Sequence, residues 1–337
     1  MHIPDGYLSP QTDAVLGLVS VLGLSVSARK ASQSVRAKDV PLLAIGAAFS
    51  FTIMMFNVPV PDGTTAHAVG GSLLAILLGP WAAMLSISIA LIIQAVFFGD
   101  GGILALGANI FNMGIVLPFI SYFVYKLIST KSPAGAKRRW IAAAIAGYIG
   151  ITAAAVMAGI EFGLQPLLFH SATGVPLYCP YGLSQAVPAM LFAHLTVAGP
   201  IEGVVTALVL RYLQQSNPAL LEDDRSARDK TPLNWKRFLP WLAVLVVLSP
   251  LGLLASGTAW GEWGGEDLQS KLGFVPQGLG KMGEFWKHVL LPDYGIAGFD
   301  QSFWQQALGY LLSALVGLIL IALIAWPLQR LWRKKKG

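Results

Sequence analysis

Charge is what this chain has least of. Of its 337 residues only 12% are Asp, Glu, Lys or Arg, against 55% hydrophobic, where a soluble domain carries about 25% charge. That deficit excludes an ordinary soluble protein. Cys179 is the one cysteine, so an internal disulfide and a cysteine-rich metal or redox site are excluded. No Gly-x-x-x-x-Gly-Lys-Ser/Thr occurs, and hence no phosphate loop with which the chain would hydrolyse ATP alone. His-Glu-x-x-His and Gly-x-Ser-x-Gly are also absent, leaving a membrane protease or esterase without support. The stretch from Met1 to Gln11 contains no lysine or arginine. No leader with a positive start therefore precedes the first apolar run, and the mature chain is expected to begin at Met1 with a free amine.

What is there is a polytopic, all-α membrane protein. Runs near the roughly 20 apolar residues needed to cross a bilayer fall at 12–28, 40–56, 80–98, 104–128, 140–160, 187–213, 238–255 and 303–326, with a shorter one at 67–78. These predict about nine transmembrane helices. Lysine and arginine collect on the cytoplasmic side, and with the N-terminus outside and the C-terminus inside, all of the 23 basic residues but Lys271, Lys281 and Lys287 fall there. The net charge of +6 is thus a mark of topology in the cell's inner (plasma) membrane and gives no reason to expect a nucleic-acid partner.

Composition turns polar and charged between Gln214 and Lys230, with Asn217-Pro218 and Glu222-Asp223-Asp224-Arg225. This predicts a seven-helix unit over 1–213, a cytoplasmic linker over 214–234 and a two-helix unit over 235–337. The latter carries a long outer loop rich in glycine, tryptophan and acids, as in Trp260-Gly261-Glu262-Trp263, whose tryptophans are expected at the membrane interface.

Histidine in second place gives the chain start a chemistry of its own. The α-amine, the deprotonated amide of His2 and its imidazole Nδ1 can grip one ion through fused five- and six-membered rings. Three nitrogens then lie in a plane with one corner open, a set that suits Ni(II) or Cu(II) better than tetrahedral zinc. His67, following the outer turn Pro59-Val60-Pro61-Asp62-Gly63-Thr64-Thr65-Ala66, is expected to open the short helix on the same face. It would close the square. Read alone, His2 merely follows a start methionine and His67 is a helix-end histidine.

Around these lie Asp5, Ser72, Asn109 and Asn112, as groups that would orient the ligands or serve as turn and helix-packing residues. Small residues in Gly70-Gly71-Ser72 permit close helix contact. Glu202, eight residues after His194, is the only acid expected inside a membrane segment and hence a candidate for coupling or proton relay. Packing as a neutral residue is the alternative. His170 and His288 are expected in outer loops.

Four motifs in order resemble the CbiM/NikM family, the substrate-binding membrane components of energy-coupling factor transporters for cobalt and nickel. They are Met1-His2-Ile3-Pro4-Asp5-Gly6-Tyr7-Leu8, Gly63-Thr64-Thr65-Ala66-His67-Ala68-Val69-Gly70-Gly71, Leu78-Gly79-Pro80-Trp81 and Gly107-Ala108-Asn109-Ile110-Phe111-Asn112-Met113. Asp62 and Ala66 stand where many relatives have glycine. The resemblance implies Met1, His2 and His67 as ligands of a transported Ni2+ or Co2+, with no resident cofactor. It implies as partners a transmembrane coupling component and ATP-binding cassette ATPases. Residues 235–337 resemble the two-helix N component, here fused, although its Pro-Asp-Gly-Leu-Glu element is replaced around Leu291-Pro292-Asp293-Tyr294-Gly295. The alternatives to an ATP-driven subunit are a proton-coupled secondary transporter using Glu202 and a membrane metalloenzyme or assembly subunit.

Overall fold

The computed structural model describes residues 1–34, 40–216, 218–221, 235–283, 285–286 and 288–334. Most of the expected linker lies outside the described residues, as do the basic markers Arg36, Lys38, Arg225, Arg228, Lys230, Lys287, Lys335 and Lys336.

Six described helices are long and apolar enough to cross a membrane: α1 (Pro10–Ser34), α4 (Pro80–Phe98), α5 (Leu106–Ser129), α6 (Lys137–Leu168), α7 (Leu183–Ser216) and α11 (Phe303–Lys334). Two apolar helices are shorter, α2 (Val40–Met54) and α8 (Leu239–Leu254). Between α2 and α4, a two-stranded hairpin pairs β1 (Val58–Pro59) with β2 (Thr65–Ala66) and leads to α3 (Gly71–Leu78). The chain after α8 forms two short surface helices, α9 (Gly265–Leu272) and α10 (Gln277–Met282).

The expected helix over 67–78 is the element that differs most. At eight residues α3 is roughly 12 Å long, less than half the hydrocarbon thickness. Gly70, at φ 74°, breaks the chain before it, so His67 sits in the irregular segment after β2 and does not open a helix. Irregular backbone that is buried persists only when its polar groups find partners, and Glu202 supplies them. Its carboxylate accepts from the backbone N–H groups of Val69 (2.9 Å), Gly70 (2.8 Å) and Ser72 (3.1 Å).

α6 is the packing axis of the first half. Its buried face carries Ala142, Ala146, Gly147, Gly150, Ala154 and Ala158, and small residues let backbones approach closely where lipid gives no hydrophobic drive between helices. A Cβ on Gly147 would lie 3.0 Å from the Glu202 backbone, and one on Gly163 2.6 Å from the Leu183 Cα. Wide π-helical turns interrupt α4 at Gln94–Phe98, α5 at Ile110–Val116 and α7 at His194–Ala198. The last two run into Pro118 and Pro200, whose missing N–H groups interrupt the ladder.

The second half seats on α2. Gly252 in α8 lies so close to the chain after α2 that a Cβ there would fall 2.2 Å from the Met55 carbonyl oxygen, and Gly317 of α11 faces the Phe51 ring. Gly252→Ala should therefore separate the halves, lowering stability by about 1–3 kcal/mol. A thermal unfolding midpoint in detergent equal to that of the parent chain would contradict this seating.

Candidate metal centre

Met1 to Ser9 fold into the protein. Met1 (5% exposed), His2 (3%), Ile3, Asp5, Tyr7, Leu8 and Ser9 are all buried. The apolar Ile3, Tyr7 and Leu8 drive the burial, and a Pro4-Asp5-Gly6 turn, with Gly6 at φ 87°, reverses the chain as that dipeptide chemistry favours. Asn109 grips Ile3 from both sides, its Oδ1 accepting from the backbone N–H (2.7 Å) and its Nδ2 donating to the carbonyl (3.1 Å). Asp5 accepts from the N–H groups of Leu104 (2.8 Å) and Ala105 (3.2 Å), capping α5. Burial raises its carboxyl above the usual range.

This fold brings His2 against His67, with ring centroids 5.1 Å apart. His67 (5% exposed) has Nδ1 3.1 Å from the Ala68 carbonyl oxygen. A donor there fixes the tautomer and leaves Nε2 with the lone pair for an ion. His2 Nδ1 lies 3.2 Å from Asp100 Oδ1, and its Nε2 is buried with no partner. Burial, reinforced by the nearby ammonium, pulls the His2 imidazole down to about 4. The same two causes hold His67 well below its ordinary value. Both rings are neutral at neutral pH, the state a metal ligand requires.

The α-amine of Met1 meets a residue the sequence did not single out. It donates to Glu262 Oε1 at 3.0 Å, from the outer loop of the second half. Tyr294, also from the second half, donates to Asp100 Oδ2 and receives a bond from Gln94 Nε2 (2.8 Å). Burial raises the Asp100 carboxyl. Tyr294 sits at φ 62° and Asp293 at φ 47°, the left-handed region that costs a bulky side chain energy, which is where the expected Pro-Asp-Gly-Leu-Glu element departs. The Tyr7 hydroxyl donates to the Trp263 carbonyl (2.8 Å). Trp260 and Trp263 pack edge to ring with each other and with Phe162 and Tyr181. Both are half-buried and roof the tail.

Other expected residues separate. Asn112 Nδ2 donates to Glu161 (2.7 Å) and Ser72 Oγ pairs with Ser121 Oγ (2.9 Å). Glu202 is not the only acid within a long helix, since Asp13 and Glu161 are also buried in α1 and α6. Asp62 is exposed and accepts from the Thr64 N–H (3.0 Å). His170 and His288 are exposed, and Cys179 is buried and free. His194 is buried with Nδ1 2.8 Å from the Met190 carbonyl. Among the described residues no three His, Cys, Asp or Glu side chains cluster closely enough to hold an ion.

A bundle of long apolar helices with a buried, histidine-bearing chain start has the architecture of a multi-pass membrane protein. Residues 2–220 match the family model described as "Cobalt uptake substrate-specific transmembrane region", and residues 236–334 match the PDGLE domain; the chain belongs to that cobalt uptake family. A fused nickel transport protein, NikMN, of Rhodobacter capsulatus is 50% identical, with 95% of each chain covered. A protein of Lactiplantibacillus plantarum named as a probable fused nickel transport protein, LarMN, is 45% identical over 98% of each. The crystal structure titled as a truncated transition metal transporter is 60% identical with a TM-score of 0.60, covering 64% of this chain and 99% of its own. One titled as a transition metal transporter is 56% identical with a TM-score of 0.61, covering 69% and 100%. The chain is thus a multi-pass membrane protein whose relatives are named as transport proteins.

Two outcomes test the site. A Cβ on Gly102 would fall 2.0 Å from Asp5 Oδ1 and 2.5 Å from the Asp5 backbone nitrogen, so Gly102→Ala should expel the tail and leave the Met1 amine open to an acylating reagent. An amine as shielded as in the parent chain would contradict the packing. Because the His2 imidazole has a folded value of about 4 against an ordinary 6.5, its contribution to stability is complete above about 6.5 and is lost as pH falls towards 4, the unfolded chain binding the proton first. The stability of the metal-free His2→Ala chain should fall less steeply over that window, and parallel curves would contradict it.

Proposed function

We propose that the chain is the substrate-capturing component of an ATP-driven energy-coupling factor transporter, taking up Ni2+, or Co2+, from the outer face. The observation that carries this reading is the buried His2–His67 pair beside the Met1 amine. The ion would be held by the Met1 amine, the His2 amide and Nδ1, and His67 Nε2. Tetragonal nitrogen coordination favours nickel, and so do the names of the two fused relatives. The coupling component and ATP-binding cassette ATPases enter as partners because the chain has no phosphate loop of its own.

Two of the three tail nitrogens that would bind the ion now face a carboxylate: the amine faces Glu262 and His2 Nδ1 faces Asp100. Loading exchanges these partners. The ammonium surrenders a proton as its nitrogen turns to the ion, the His2 amide surrenders another, and Nδ1 leaves Asp100 as the proton of the neutral ring moves to Nε2. Glu262 and Asp100 remain beside a cation in either state. The second half thereby acts on the site through Glu262 and Tyr294, holding the tail folded inward. Glu202 has its carboxylate committed to three backbone N–H groups, which favours a role in holding the His67 segment over one in proton coupling.

Nickel titration followed by visible absorption tests the reading. The chain beginning at Met1 should bind one ion with a square-planar spectrum, and a form extended by a few serines ahead of Met1 should not. Equal binding by both would contradict it. Glu262→Lys places a cation against both ammonium and ion. It should weaken nickel binding by at least about tenfold, some 1.4 kcal/mol, and expose the Met1 amine to acylation; unchanged affinity would remove the second half from the site.

A further inference from the structure

Two buried polar atoms beside the metal centre lack a hydrogen-bond partner, His2 Nε2 and Gln94 Oε1. Orphans of this kind are uncommon in a native fold and call for a physical reason. Gln94 is fully buried and opens the π-helical turn Gln94–Phe98 of α4. Its carbonyl oxygen accepts from the Asp100 N–H (3.2 Å), so one turn supplies both side chains. The Gln94 amide stands within hydrogen-bonding reach of the His2 ring and favours a proton on it, as an acceptor does.

Polarity fixes which end of that amide faces the ring. Gln94 Nε2 donates to the Tyr294 hydroxyl (2.8 Å) and lies 3.4 Å from Asp100 Oδ2. Tyr294 gives its single proton to the same carboxylate, so both groups can only accept from Gln94. The nitrogen must therefore face Tyr294 and Asp100, and Oε1 is the atom turned away from them. His2 is fixed in a matching way. Its Nδ1 lies 3.2 Å from Asp100 Oδ1, and in a neutral ring a proton on Nδ1 leaves Nε2 as an acceptor. Two acceptors then meet, which is why both are orphaned.

Binding of nickel at Nδ1, the reading on which this inference rests, moves the ring proton to Nε2. We propose that Gln94 is the positioning residue of the loaded site: its Oε1 receives the Nε2–H of His2 and holds the imidazole with Nδ1 towards the ion. Partners of this kind orient a ligating ring and raise its basicity. The contact closes a circuit of His2, Asp100, Tyr294 and Gln94, in which loading turns the one mismatched contact into a hydrogen bond and release restores the mismatch. Tyr294, from the second half, orients the Gln94 amide and so sets which nitrogen of His2 is offered to the ion.

The test follows the His2 ring nitrogens by nuclear magnetic resonance in the full chain with isotope-labelled histidine, before and after nickel, which is diamagnetic in a square-planar field. His2→Ala assigns the signals by their loss. The proton should sit on Nδ1 in the empty chain and on Nε2 in the loaded one, where it should exchange slowly with solvent. Gln94→Met, which keeps the bulk without the acceptor, should weaken nickel binding by roughly tenfold to a hundredfold and speed that exchange. Gln94→Glu, which keeps an acceptor, should bind at least as tightly as the parent. One tautomer in both states, unchanged affinity in Gln94→Met, or equal losses in the Met and Glu variants would each overturn the proposal while leaving the metal site in place. His2 signals that nickel leaves unmoved, or broadens as a paramagnetic ion does, would overturn the square-planar site and the proposal with it.

Discussion

A chain's own ammonium group, buried beneath a loop from the far end of the same chain, is the constraint on which the rest of the structure turns. An ammonium taken out of water without a partner is too costly to persist, so the position of the tail depends on the carboxylate of Glu262 at 3.0 Å. Glu262 in turn is placed by the packing of Trp260 and Trp263 over Phe162 and Tyr181, and that loop is placed by the seating of α8 and α11 on α2. The two halves therefore meet most consequentially at a few atoms of the tail.

The neighbouring contacts repeat the same economy of charge. His2 and His67 are kept neutral by burial, Asp100 is half-buried and held by Tyr294, and Glu202 spends its carboxylate on the backbone around α3. Each group is either neutral or opposed by a specific partner. A divalent cation placed among these nitrogens, together with the deprotonated His2 amide, would carry the same net charge as the ammonium it replaces, leaving the carboxylates of Glu262 and Asp100 still matched. On the proposed reading the site exchanges charge for charge, and the ion would stand where protons stood.

His2 and His67 were legible in the sequence because their chemistry is local: a second-position imidazole and a histidine after a Pro-, Gly- and Thr-rich turn need no tertiary contact to be singled out. The apolar runs fixed the membrane class for the same reason. Glu262, Asp100 and Tyr294 were not legible, since each acts across more than 90 residues of sequence through a contact that no periodicity marks. Glu161 escaped because the apolar run over 140–160 stops one residue short of it, whereas α6 continues to Leu168. The short α3 read as a longer helix because Ala68 and Val69 are as apolar as the residues of α3 itself, and only the left-handed Gly70 and the caps from Glu202 divide them. Asn109 and Asn112 share a motif, but their facing groups differ, Ile3 for one and Glu161 for the other.

The exchange of protons for metal is the account's central claim, and counting those protons tests it most directly. Nickel titrated calorimetrically into the purified chain, in buffers of equal pH near 7 but different ionisation enthalpy, reports the number released on binding. The account predicts about two per ion, one from the Met1 ammonium and one from the His2 amide, with the neutral imidazoles adding none. Release of no protons would mean that the tail nitrogens are not the ligands.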